Sequence, residues 1–142
     1  MLRGVKSLKV SSIRYEDYRK HCPVFESCSI HEYARLIDDH PYGEFSLDVI
    51  DQIAADVKLV HIRPIWKGAY YAYIEYKNND IVPIRISFYG AFFEIMEDET
   101  CFQFDSGNKS YDLWNEEVRK IINQFPSNKP KSSNKFDALF SR

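Results

Sequence analysis

Residues 69–104 read AYYAYIEYKNND IVPIRISFYG AFFEIMEDET CFQF. Val, Ile, Tyr and Phe dominate the stretch, and turn material interrupts it at Asn78-Asn79-Asp80, at Gly90 and at Glu97-Asp98-Glu99-Thr100. Short β-branched and aromatic runs between such breaks mark strands joined by tight turns. Segments 69–77, 81–89, 91–96 and 101–104 predict four strands, and 58–66, set off by Lys67-Gly68, predicts a further one. The expectation is an antiparallel β-meander of four to five strands. In 81–89, Val82, Ile84, Ile86 and Phe88 share one face, while Arg85 and Ser87 share the other. One face is therefore expected to be buried and the other partly solvated. Pro64 and Pro83 lack a ladder donor, which places them at edges or bulges.

Working outward, the period changes from two to 3.6. Towards the N-terminus, Ser29 followed by Glu32 forms a capping box, and Ile30, Tyr33, Ala34 and Ile37 recur at helical spacing, predicting a helix at 30–38. It stops at the turn His40-Pro41-Tyr42-Gly43. Ser46 caps a second helix at 47–57, with Asp48 at the positive end of its dipole and a Phe45–Ile50 staple. Beyond the strands, Ser110 opens a helix at 111–125, whose Trp114, Val118, Ile121 and Phe125 form one apolar stripe ended by Pro126. Two N-terminal helices, a meander and one C-terminal helix packed on the sheet make an α+β fold.

The 142 residues suit one domain, and 44% hydrophobic with 15% aromatic content supports a packed core. A net charge of −2 conceals a pattern. Residues 1–20 carry six basic and two acidic side chains, residues 21–125 nine and eighteen, and residues 126–142 four and one. The expected organisation is a basic N-terminal segment (1–20), an acidic domain (21–125) and a basic, flexible tail (126–142). A negative body repels phosphate backbones and speeds association with basic partners. Three cysteines make no closed disulfide framework, and the first residues hold no apolar secretory run, so a cytoplasmic setting is expected. No window of the chain is apolar enough to span a membrane.

The sequence carries no P-loop, dinucleotide-binding glycine fingerprint, H-E-x-x-H, EF-hand loop or G-x-S-x-G elbow. His21, Cys22, Cys28 and His31 are zinc-ligand types, but their spacing is not a zinc knuckle, and buried cysteines beside surface histidines are the expected outcome. Cys101 and His61 lie on different predicted strands, so a Cys–His nucleophile would need an accident of register. No metal or cofactor is expected. Two acidic groups stand out, Asp38-Asp39 at a helix end and Glu97-Asp98-Glu99 in a turn. Asp38 and Asp39 oppose the negative end of their helix dipole, a placement that points to use in partner binding. Tyr71 and Tyr73 share one face of an unusually tyrosine-rich strand, where they would serve as interface anchors if exposed or pack beneath a helix if not.

These features point to a non-enzymatic binding protein that neutralises a basic protein partner, with Asp38, Asp39, Tyr71, Tyr73, Glu97, Asp98 and Glu99 as candidate contacts. A bacterial immunity protein set against a cationic nuclease toxin is an instance of that class, by analogy of size, fold class and charge rather than by motif. A nucleic-acid partner is not expected. The alternatives are a nucleic-acid module using the basic ends and sheet tyrosines, or an enzyme whose site no motif marks.

Overall fold

Residues 1–15, 29–60 and 65–125 are described by a computed structural model. Along them run β1 (Val5–Arg14), α1 (Ile30–Asp38), β2 (Tyr42–Glu44), α2 (Leu47–Ile53), β3 (Lys58–Val60), β4 (Ala69–Tyr76), β5 (Ile81–Ser87), β6 (Phe92–Ile95), β7 (Thr100–Gln103) and α3 (Lys109–Ile122). The strands form one antiparallel sheet in the order β2-β1-β4-β5-β6-β7-β3, so the fold is α+β. Strands β4 to β7 are the expected meander, each pairing with the next.

Among the described residues the sheet has seven strands, not four or five. The additional central strand is β1, inside the segment set apart for its basic charge. Val5, Leu8 and Val10 are buried, while Lys9 and Ser11 face the other way, and β1 pairs with β4 through Lys9↔Tyr73 and Val10↔Ala72. Strand β2 replaces part of the expected turn after Pro41 and extends the sheet beyond β1. Strand β3 does not adjoin β4. It pairs with β7 through Leu59↔Phe102, satisfying the backbone groups that β7 would otherwise leave open.

Pro83 is not on an edge strand, since β5 lies between β4 and β6. Its carbonyl accepts from Met96 N, one residue past the end of β6, so its missing N–H falls where that ladder is already ending. Pro64 lies outside the described residues. Gly43 of β2 is required by close approach: a Cβ there would come within 2.6 Å of Ile121 Cγ2 on α3.

Helices cover both faces of the sheet. On one face α2 and α3 bury Ile50, Ile53, Val118 and Ile121 against Leu8, Val10, Ile74, Ile84 and Phe93. Trp114 is fully buried there, with ring centroids 4.7 Å from Phe45, 5.2 Å from Phe93 and 5.1 Å from Phe104. On the face expected to be partly solvated, α1 lays Tyr33, Ala34 and Ile37 over Tyr71 and Tyr73. Each large apolar side chain so buried contributes on the order of 1.5–3 kcal/mol.

The helices differ in detail from expectation. α2 ends at Ile53 rather than 57, and Asp56, in the turn that follows, accepts from the Ser110 hydroxyl. Ser110 is therefore no cap; Asn108 holds the N-cap position of α3. Ser46 caps α2 without its side chain, and its N–H donates to Glu117 Oε2 at 2.5 Å instead.

Candidate functional site

The α1 layer carries most of the residues singled out in the sequence. Ser29 Oγ accepts from Glu32 N at 3.1 Å, the N-cap half of the expected capping box, and so starts the helix. Tyr33 then reaches down to the sheet. Its hydroxyl lies 2.7 Å from Ala72 O and 3.2 Å from Ile84 O, and accepts from Ala72 N at 3.1 Å. This buried tether fixes α1 over β4 and β5, and so fixes where its C-terminal acids emerge.

Asp38 and Asp39 are exposed at that end. Asp38 Oδ1 accepts from Tyr73 Oη at 2.7 Å and from Lys9 Nζ at 3.2 Å. The Lys9 ammonium also lies 4.9 Å from the Tyr42 ring centroid and 5.6 Å from that of Tyr73. Burial pushes the Tyr73 phenol up to about 12, and the carboxylate it donates to adds to the rise. Burial pulls the Lys9 ammonium down, but its interactions with Tyr73 and Asp38 outweigh this and leave it above the usual lysine range. Asp38 is thus partly neutralised from within the fold, whereas Asp39 makes no ion pair among the described residues.

Tyr71 and Tyr73 are 1% and 2% exposed. They are not exposed anchors, because α1 covers them; the packing outcome holds. A base-stacking platform on these rings is closed for the same reason.

Glu97, Asp98 and Glu99 are exposed in the β6–β7 turn. Asp98 Oδ1 accepts from Thr100 N at 3.0 Å, and hydrogen bonding to Thr100 holds the carboxyl below its usual range. Glu99 sits at φ 60, an uncommon conformation for a residue with a Cβ. Met96 packs on the α1 side against the Tyr33–Tyr71 cluster, and the 97–99 turn follows it directly. A cross-strand row runs from Lys9 through Tyr73 and Pro83 to Met96, with Asp38 above its first two members and Glu97 following its last. That row spans three strand spacings, about 14 Å. Acid is not confined to this side, since Asp48, Asp51, Asp112 and Glu116 are exposed on the α2–α3 layer.

A polar centre escaped the sequence. Arg85 Nη2 donates to Glu94 Oε1 at 2.9 Å, with both side chains nearly inaccessible. The guanidinium lies over Trp66 at 3.9 Å and Tyr15 at 4.4 Å from the ring centroids. Cys101 Sγ approaches Glu94 Oε2 at 3.7 Å. The available signal was that Arg85 and Glu94 are the single charged residues of two apolar strands and are opposite in sign. Such a pair, deprived of water, fixes strand register but adds little net stability.

Of the cysteine–histidine cluster, His21, Cys22 and Cys28 lie outside the described residues, as does His61. His31 is exposed in the first turn of α1, and Cys101 is buried. The described residues contain no group of three or more His, Cys, Asp or Glu placed to hold a metal ion, and no helix among them is long and apolar enough to cross a membrane. Two open cavities of about 270 and 310 Å³ flank Tyr89, one lined by Arg14 and Lys67 and the other by α3. Comparison with family models, with curated proteins and with solved structures finds no match.

Proposed function

We propose that this chain is a non-enzymatic binding protein that docks a basic protein partner on the α1 side of its sheet. The observation that carries this reading is the pairing of two exposed acidic groups, Asp38-Asp39 and Glu97-Asp98-Glu99, at opposite ends of one cross-strand row. A span of about 14 Å lies well within a protein interface of ordinary size. Charge so placed steers encounter with a positive surface more than it sets the lifetime of the complex. A nuclease that grips phosphate carries such a surface. A cationic nuclease toxin, held in check by a bacterial immunity protein, is the biological form we infer.

The test uses reversals that leave the fold alone. Asp38 and Asp98 have structural bonds, so the pair to change is Asp39→Lys with Glu97→Lys. Proteins retained from cell extract by wild type and lost by the double variant are purified, and their association is timed at low and high salt. The expected partner is basic, and its association slows by about tenfold on reversal with an unchanged melting temperature. A neutral or acidic partner, or equal association rates, contradicts the proposal.

A further inference from the structure

We propose that the cavity between Arg14, Lys67 and Tyr89 binds a nucleoside monophosphate, with the two cations taking the phosphate and the tyrosine taking the base. The cavity has a volume of about 270 Å³ and lies on the α3 side of the sheet, where Ile122 and Asn123 line it. It is therefore separate from the α1 docking face and does not depend on that reading.

The topology brings the two cations together. Arg14 stands opposite Tyr70 at the end of β1, and Lys67 comes just before β4. Between Lys67 and β4 the chain turns at Gly68, whose φ of 151 suits a residue without a Cβ. Gly68 O accepts from Phe88 N at 3.1 Å, which ties this turn to the exit of β5. Arg14 and Lys67 are exposed, and neither makes an ion pair with another described residue. None of the described residues lining the cavity is acidic. Residues 21–125 hold eighteen acidic and nine basic side chains, so a recess lined by cations alone is a local exception. A recess lined by one sign of charge concentrates its field on the opposite ion.

Charge and size then select the ligand. A phosphomonoester carries about −1.5 to −2 at pH 7, which two cations match. A carboxylate or a phosphodiester carries a single charge and leaves one cation unanswered. Arg14 offers paired N–H donors to phosphate oxygens, and Lys67 offers a compact charge. Beside them, the Phe88 and Tyr89 ring centroids lie 4.5 Å apart at 88°, and the Tyr70 ring lies 6.5 Å from Phe88. Tyr89 N–H donates to Ser87 Oγ at 3.1 Å and its carbonyl accepts from the same hydroxyl, so a fixed turn presents a ring that is 51% exposed. Aromatic surface next to an anion site is where a base stacks. Small-molecule sites run from about 300 to 1,000 Å³, so this cavity takes one nucleotide rather than a strand.

The probes are AMP, adenosine, ribose 5-phosphate and inorganic phosphate, titrated into the isotope-labelled full chain and followed by amide chemical shifts. The expected result is saturable shifts at Gly68, Tyr89 and Asn123 with AMP, and binding at least about tenfold weaker for each of the other three. Arg14→Gln with Lys67→Gln, both exposed positions, weakens AMP about tenfold or more and flattens the salt dependence of what remains. Tyr89→Ala weakens AMP about three- to tenfold and leaves inorganic phosphate unchanged. The Asp39→Lys, Glu97→Lys variant binds AMP as wild type does, so failure of the docking face and failure of this cavity are separately visible. Adenosine binding as well as AMP, AMP binding no better than inorganic phosphate, shifts confined to other parts of the chain, or indifference to the paired Gln substitutions overturns the proposal.

Discussion

Replacing Tyr33 with phenylalanine tests whether α1 is held to the sheet as the structure shows. The substitution removes one oxygen and keeps the ring that packs at 6.0 Å, edge to face, on Tyr71. The hydroxyl donates to Ala72 O at 2.7 Å, lies 3.2 Å from Ile84 O and accepts from Ala72 N at 3.1 Å, all of it buried. One donated and one accepted bond, each worth about 1 kcal/mol net, put the loss at roughly 2 kcal/mol. In a chain of this size each kcal/mol moves the melting temperature by about 3 °C, so a drop of about 6 °C is expected. Differential scanning calorimetry measures it, and hydrogen exchange at Ala72 should accelerate in parallel. Tyr42→Phe is the control. Tyr42 is exposed and its ring keeps its contact with Lys9, so the melt should not move. A Tyr33→Phe melt that overlays the wild type would show that the hydroxyl does not secure α1, and the placement of Asp38 and Asp39 would lose its support.

Three further outcomes are expected. Folding raises the Tyr73 pKa to about 12, so it favours the neutral phenol. The stability this supplies is complete below about pH 10, the unfolded phenol value, and drains away as pH climbs towards 12. Thermal melts from about pH 8 to 11.5 should therefore fall more steeply for wild type than for Tyr73→Phe, and parallel curves would refute this. Glu94→Ala strands the Arg85 guanidinium in a buried site and should cost about 3–5 kcal/mol in urea unfolding, whereas Arg85→Met with Glu94→Leu should restore most of that loss. Gly43→Ala forces a methyl group against Ile121 and should destabilise by about 1–3 kcal/mol, visible as a lower urea midpoint.

What was legible in the sequence had local causes. The helix at 30–38 announces itself through Ser29 and Glu32, and the apolar stripe from Trp114 to Phe125 through its spacing; both occur where expected. The strands of the meander follow from their turn residues. What was hidden depended on distant partners. The alternation of Leu8 and Val10 allows a first strand, but Lys6, Lys9 and flanking arginines read equally as a basic segment, and pairing with β4 is what makes the two apolar residues core. β3 reads as a strand, but nothing local says that its neighbour is β7. The run Tyr70-Tyr71-Ala72-Tyr73-Ile74 is buried on both faces, so its alternation separates the faces without telling which one meets solvent. The acidic groups of the candidate site were found because they are contiguous in sequence. Arg85 and Glu94 come together only across the β5–β6 ladder, and the cavity of Arg14 and Lys67 arises only where the end of β1 and the β5–β6 turn meet α3.

The most direct test is the near-surface electrostatic potential, measured amide by amide from relaxation caused by a cationic and an anionic paramagnetic co-solute. The most negative values are expected at the C-terminal end of α1, around Asp38 and Asp39, and at the 97–99 turn, with weaker values over Asp48 and Asp51 of α2. Potentials as negative over α2 as over the α1 side, or a positive value at either acidic group, would contradict this.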